Sequence, residues 1–286
     1  HHLKVRGPAA RQGRAAMPPP ATASDEVIAL RADGPVLHVT LNRPAARNAM
    51  SLAMVEALRQ VLAGAETDGR TRVLVLRGAG GHFCAGADLK DIAAARMAPR
   101  ALGEDPVAAV NARFGELCVA YASTPLAVVA VLEGTVMGGG FGLACVADVA
   151  LAAPSASFRL PETALGVVPA QIAPFLVERL GYSQARRLAV TGGRLDAAEA
   201  LTIGLVHAVH ADDRLDAALA AVLRDIRACA PGAIAATKAL MAKARFVPPA
   251  DLVAEATAVF SRAAQGPEGL EGTTAFLQKR PPAWAQ

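Results

Sequence analysis

Residues 26–41 alternate between apolar runs on either side of Asp33-Gly34-Pro35. That pattern predicts a β-hairpin whose second strand is Val36 to Leu41. Leu52, Val55, Leu58 and Leu62 then recur at helical spacing behind Ser51, a residue type that caps helix starts, and the helix should stop near Gly69. Val73 to Leu76 is a short, wholly apolar run, as expected of a strand buried on both faces. Leu126 to Leu132 and Val149 to Ala152 repeat it, and a short helical stretch follows Gly138-Gly139-Gly140. Strands alternating with helices predict an α/β core with parallel pairing. Beyond Gly181 the pattern turns helical. Ser183 to Val190 and Asp196 to Ile203 read as helices, the second stopped by Gly204, followed by 212–229, 232–244, 249–264 and 267–278. The organisation expected is a leader or flexible arm (1–24), an α/β core carrying the active site (25–205) and a helical C-terminal region (206–286).

Composition narrows the function classes. Of the 286 residues, 53% are hydrophobic, ample for a core. The net charge of +4 comes from scattered bases, and aromatics are only 4%, so no nucleic-acid surface is indicated. The apolar run Thr135 to Ala153 is broken by glycines and Asp148, which makes it a poor membrane span. Cys84, Cys118, Cys145 and Cys229 lack metal-ligand spacing and read as small buried thiols. His207 and His210 lie three apart in an expected strand, Leu205 to Val209, which puts them on opposite faces, so no metal site is expected. Residues 1–16 read as leader sequence ahead of Met17, with a transit peptide as the alternative. No secretory signal or span is evident, so a cytoplasmic location is expected.

Two glycine-rich loops carry the candidate chemistry. In Arg77 to Leu89 a dinucleotide-binding reading fails on spacing, because Gly78-x-Gly80 is followed by Phe83 where a small residue is needed. The second loop is Glu133 to Gly142. Glycine lets a backbone N–H approach a ligand closely, and a helix N-terminus adds free donors. Two such N–H groups, one from each loop, can hold a thioester oxygen as it becomes an enolate. His82 in the first loop reads as a capping group, and no G-x-S-x-G nucleophile motif occurs.

Together these segments resemble the crotonase (enoyl-CoA hydratase/isomerase) superfamily from about Val27 to Arg280. Leu41-Asn42-Arg43-Pro44 with Arg47-Asn48-Ala49-Met50 is similar to its entry motif. Phe83-Cys84-Ala85-Gly86-Ala87-Asp88-Leu89 is similar to its F-x-A-G-A-D loop, and Phe158-Arg159-Leu160-Pro161-Glu162 with Gly166 to its F-x-x-P-E-x-x-x-G segment. Phe276 and Lys279-Arg280 are similar to its C-terminal F-x-E-K-R. The resemblance implies a spiral of ββα units with a helical C-terminal trimerisation region, a homotrimer or homohexamer, and an acyl-CoA substrate whose coenzyme A is part of the substrate, with no separate cofactor. It also implies that the N–H groups of Ala87 and Gly139 form the oxyanion hole and that Glu162 is the catalytic carboxylate. Arg43, Arg47, Ala85, Gly86, Asp88, Leu89, Gly138, Gly142 and Gln171 would border coenzyme A or the acyl group. Phe276 and Lys279 would reach the nucleotide of coenzyme A bound in a neighbouring subunit.

One departure matters. Typical enoyl-CoA hydratases carry a first glutamate after the glycine run, where this chain has Gly142, and a second that is retained as Glu162. Two branches of the family fit a single glutamate. One is the Δ3,Δ2-enoyl-CoA isomerases. The other is the bacterial hydratases of glutaconyl-type substrates such as 3-methylglutaconyl-CoA or isohexenylglutaconyl-CoA, which the longer stretch Leu165 to Phe175 resembles. The expected activity is therefore hydration, with Glu162 taking the proton of the attacking water. The isomerase and a non-catalytic module of the same fold are the alternatives. The acyl-chain preference is expected to depend on the Ala-rich, partly helical segment Ile92 to Phe114.

Overall fold

The computed structural model describes residues 27–286; the expected leader lies outside the described residues. A hairpin of β1 (Ile28–Asp33) and β2 (Val36–Leu41) leads into α1 (Leu52–Thr67) and β3 (Val73–Gly78). Next come α2 (Leu89–Met97), α3 (Pro106–Ser123), β4 (Ala127–Leu132), β5 (Thr135–Met137), α4 (Gly139–Cys145), β6 (Val149–Ala152) and β7 (Ser157–Arg159). Then α5 (Ala173–Leu180), α6 (Tyr182–Thr191), β8 (Arg194–Asp196), α7 (Ala197–Thr202) and β9 (Ala208–Val209) precede four helices, α8 (Asp212–Arg227), α9 (Pro231–Ala244), α10 (Pro249–Gln265) and α11 (Pro267–Leu277).

The main sheet runs β1-β2-β3-β4-β6-β9 and is parallel beyond the first hairpin. Both of its faces are covered, which explains the unbroken apolar strands. Leu74, Leu76, Val128, Ala130 and Leu132 point into the larger core with Leu58 and Leu62 of α1 and Leu117 and Tyr121 of α3. The alternate residues Val73, Val75, Val129 and Val131 pack on Leu215 and Leu219 of α8. Ser51 caps α1 as expected, its hydroxyl accepting from the Met54 N–H at 3.2 Å.

A second sheet, β5-β7-β8, was not expected; its strands have three residues each, too few to show a period. The expected strand Leu205 to Val209 is shorter, confined to β9. His207 serves structure there, its Nδ1 accepting from the Ala150 N–H at 2.9 Å. Three cysteines are buried, and burial pushes the Cys118 and Cys145 thiols up to about 12. Cys229 corrects the expectation: it is exposed just past the end of α8, where no core covers it.

Unlike α8, helix α9 is tied to the core by polar contacts more than by burial. Lys238 of α9 reaches Asp148 Oδ2 at 2.8 Å and the Leu126 carbonyl at 2.6 Å. Neither α9 nor α10 buries a single residue within the chain.

Candidate active site

Four loops leave the carboxyl ends of strands and converge, as ligand sites of parallel sheets generally do. They follow β2, β3, β5 and β7. The first is organised by Asn48, which is fully buried. Its Oδ1 accepts from the Arg43 N–H at 2.8 Å, and its Nδ2 donates to the carbonyls of Ala79 (3.0 Å) and His82 (2.7 Å). One side chain thus closes its own turn and ties it to the glycine loop after β3. The motif contained Asn48, but its role was legible only from these three partners.

The loop after β3 is extended at Ala87. The Gly86 carbonyl accepts from the Met50 N–H at 2.7 Å, and the Asp88 N–H donates to the Met50 carbonyl at 3.1 Å. Successive peptide groups of an extended chain point to opposite sides. With both neighbours committed to Met50, the Ala87 N–H faces the other way, into a cavity of about 570 Å³ that Ala87 lines. Gly139, the first residue of α4, lines the same cavity. Its N–H belongs to the helix's first turn, which has no intrahelical acceptors.

Gly138 is where the loops meet. Its φ of +54° with ψ of −120° is a conformation that disfavours any side chain. A Cβ there would lie 2.8 Å from Glu162 Oε1 and 3.7 Å from Gly86 Cα. The two N–H-bearing loops and the carboxylate are therefore within van der Waals reach of one glycine.

Glu162 sits at the start of the short turn Thr163–Leu165, after β7, and lines the cavity. Its Oε2 is buried with no hydrogen-bond partner, and burial raises its pKa above the ordinary carboxylate value. The other three acids lining the cavity are engaged. Asp88 pairs with Arg43 at 3.0 Å and caps α2 through the Lys90 N–H. Asp91 accepts from the Leu52 N–H at 2.8 Å. Asp105 caps α3 and pairs with Arg100 at 3.1 Å. Among the described residues that line the cavity, only Glu162 offers an uncommitted buried oxygen.

Gln171 also lines the cavity, held on α3: its Nε2 donates to Asn111 Oδ1 at 2.8 Å. Its Oε1 lies 2.1 Å from where a Cβ of Gly115 would be, so the amide needs glycine at that point of the helix. Gly142 departs from its expected role. It does not line the cavity; it is buried, and a Cβ there would fall 2.1 Å from Ile172 Cγ2. An isoleucine methyl occupies the space that a second carboxylate's stem would take.

Several expected residues position the site without lining the cavity. Arg43 holds Asp88, Arg47 reaches Thr135 Oγ1 at 3.3 Å, and the Ala85 N–H donates to the Arg47 carbonyl at 2.9 Å. Gly86 and Gly138 form the loop contact, and Leu89 opens α2 with its side chain exposed. His82 caps rather than reacts, its Nδ1 accepting from the Thr135 N–H at 3.0 Å. Phe276 and Lys279 lie in the C-terminal segment, exposed and away from this cavity within one chain. Among the described residues no three His, Cys, Asp or Glu side chains form a metal-binding group, and no helix is long and apolar enough to cross a membrane.

The chain is similar to proteins of known family. Residues 31–286 match the family model described as Enoyl-CoA hydratase/isomerase. The structure is similar to an enoyl-CoA hydratase/isomerase from Marinobacter aquaeolei, with a TM-score of 0.88 and 50% identity over 91% of this chain and 100% of that one. It is also similar to AtuE of Pseudomonas aeruginosa, with a TM-score of 0.87 and 53% identity over the same shares. Among curated relatives, the 2,3-dehydroadipyl-CoA hydratase of Escherichia coli K12 is 33% identical over 249 residues, 86% of this chain and 94% of that protein.

Proposed function

The chain belongs to the enoyl-CoA hydratase/isomerase family and has the crotonase fold, and from that premise we propose that it adds water across the C2–C3 double bond of a branched or carboxylated, glutaconyl-type enoyl-CoA. The observation that carries this reading is the buried, unpartnered Glu162 oxygen in the cavity that Ala87 and Gly139 also line.

The chemistry follows from those groups. The thioester oxygen accepts from the Ala87 and Gly139 N–H groups, which draws electron density from C3. Glu162 accepts a proton from water while the water oxygen bonds to C3. The π electrons pass to the thioester oxygen, and the resulting enolate is held by the same two donors. The enolate then collapses, and C2 takes the proton back from Glu162. One water is consumed and the carboxylate is regenerated. A raised pKa suits a group that must both take and return a proton near neutral pH. Gln171, held by Asn111 and lining the same cavity, supports a further polar contact to water or substrate.

The substrate class is supported by the stretch Leu165 to Phe175 and by the E. coli relative, whose named substrate carries a second carboxylate. A second reading rests on the single carboxylate: Glu162 can also shuttle a proton from C2 to C4, which isomerises a 3-enoyl-CoA. Mass spectrometry of products from crotonyl-CoA, 3-methylglutaconyl-CoA and a 3-enoyl-CoA decides. The expected result is gain of one water, fastest on the glutaconyl thioester. A migrated double bond at unchanged mass would make the enzyme an isomerase.

The same reading includes a trimer or a dimer of trimers. It is supported by α9 and α10, which bury nothing within the chain, and by exposed Met241, Phe246, Val253 and Phe260. Sedimentation velocity should give three or six times the chain mass; a monomer at micromolar concentration would overturn it.

A further inference from the structure

Of the four acids that line the cavity, three are engaged and the fourth is Glu162. Among the described residues, Arg96 is the only Lys or Arg that lines the cavity. Arg96 makes no hydrogen bond, ion pair or ring contact among the described residues, while Arg43 and Arg100 nearby are committed to Asp88 and Asp105. Its helix turns it toward the cavity: Ile92, Ala95 and Arg96 stand at i, i+3 and i+4 on α2, and all three line the space. Facing them, α3 contributes Val107, Val110 and Phe114, together with Asn111, whose Oδ1 is taken by Gln171.

Position along the helix says what the guanidinium can reach. The oxyanion donor Ala87 lies just before α2 begins, and Arg96 is in the last turn. At a rise of 1.5 Å per residue, the seven steps from Leu89 to Arg96 place it about 10 Å along the helix axis from the reacting end. That is too far for the thioester carbonyl and within side-chain reach of a group several carbons down the acyl chain. Asp88, Asp91 and Asp105 are engaged, Asn111 and Gln171 hold each other, and Glu162 stands at the reacting end, so a cation without a partner among the described residues at the far end is matched by an acyl chain ending in an anion. We propose that Arg96 is the specificity residue for a distal carboxylate on the acyl group. This rests on the acyl-CoA reading of the cavity and narrows it: the carboxylate of a dicarboxylic thioester would accept from the Arg96 guanidinium, while the hydrocarbon part contacts Ile92 and Phe114. Segment Ile92 to Phe114 was expected to set acyl preference; the free cation within it became visible only once every neighbouring charge had its partner.

The test uses binding, so it does not require turnover. Calorimetry with two saturated thioesters, glutaryl-CoA and butyryl-CoA, measures the preference for a terminal carboxylate. The wild-type protein is expected to favour glutaryl-CoA by roughly ten- to a hundredfold, the range of a charge-assisted hydrogen bond. Arg96→Gln should collapse that ratio toward one, and Arg96→Lys should keep part of it, since the charge remains without the planar fork. Arg96 is exposed, so neither variant threatens folding. Equal weakening of both thioesters would mean a contact with the coenzyme A portion and would overturn the proposal. An unchanged ratio would leave Arg96 a solvated side chain favourably placed at a helix C-terminus, and would overturn it as well. If neither thioester binds, the acyl-CoA reading itself falls, and this inference with it. Binding with the expected ratio but no hydration would retain Arg96's role and remove only the hydratase reading.

Discussion

Glu162→Gln is expected to lower hydratase turnover by roughly 10²- to 10⁴-fold, the usual contribution of a positioned general acid–base group. The substitution keeps the shape and removes only the ability to take a proton. The cavity holds no substitute, because Asp88, Asp91 and Asp105 are each engaged by a cation or by backbone N–H groups. The loss should fall on kcat with KM little changed, since the Ala87 and Gly139 N–H groups proposed to hold the thioester oxygen are untouched. In the wild type, kcat/KM should fall at acid pH with an apparent pKa above that of an ordinary carboxylate, because burial holds Glu162 up. That limb should be absent from whatever activity remains in the glutamine variant. Turnover within a few-fold of wild type would remove Glu162 from the mechanism.

The same burial has a consequence for stability. A carboxyl whose pKa is raised on folding binds its proton more tightly in the native state than in the unfolded one. Between the unfolded value and the raised native value, stability therefore falls as pH rises, and above both the full penalty is present. At neutral pH Glu162→Gln should be more resistant to urea than the wild type. The gain should vanish once pH drops below the ordinary glutamate value, where both carry a neutral side chain. Less activity with more stability is what a strained functional group predicts, whereas a structural ion pair would show loss of both.

How much of this was legible beforehand depended on distance along the chain. Helices α8 to α11 were bounded within two residues because their apolar spacing is local and Pro231, Pro249 and Pro267 mark three of the starts. The hairpin, α1, β3, β4 and β6 were legible for the same reason. Strands β5, β7 and β8 were not, since Thr135 to Met137 or Arg194 to Asp196 is too short to display alternation and is extended only because it finds partners across the fold. The helix α5 was hidden inside a stretch read for its motif alone. At the site, motifs named Ala87, Gly139 and Glu162. They did not show that Asn48 joins two loops, that Gln171 rests on Asn111 and Gly115, or that Arg96 has no partner among the described residues. Each of those depends on groups 30 or more residues away, or on the absence of a partner among the described residues.

Gly142 is the clearest case, and it carries the second large effect. From the chain alone it is an absent carboxylate, a position that Glu could simply reoccupy. In the fold it is an occupied one: a Cβ would lie 2.1 Å from Ile172 Cγ2 and 2.6 Å from Ile172 Cβ, and Ile172 is itself only 3% exposed. Gly142→Ala gains some helix stability from reduced chain entropy, about 0.5–1 kcal/mol, but overpacking costs about 1–3 kcal/mol, so a net loss is expected. Gly142→Glu adds a carboxylate to an apolar site and should cost about 4 kcal/mol or more, enough to lower expression or fold yield. Ile172→Ala alone should cost about 2–5 kcal/mol by opening a cavity. The double variant Gly142→Ala/Ile172→Ala should then be more stable than the sum of the single losses by at least about 1 kcal/mol, because each change fills or vacates the same space. Urea unfolding of the four proteins measures that coupling, and strict additivity would show that Ile172 does not occupy the Gly142 site. If the coupling holds, the number of carboxylates here is set by packing as well as by the residue after the glycine run. A second acid could enter only together with a smaller residue at position 172, and the adjacent Gln171, bonded to Asn111, lines the same cavity as Glu162.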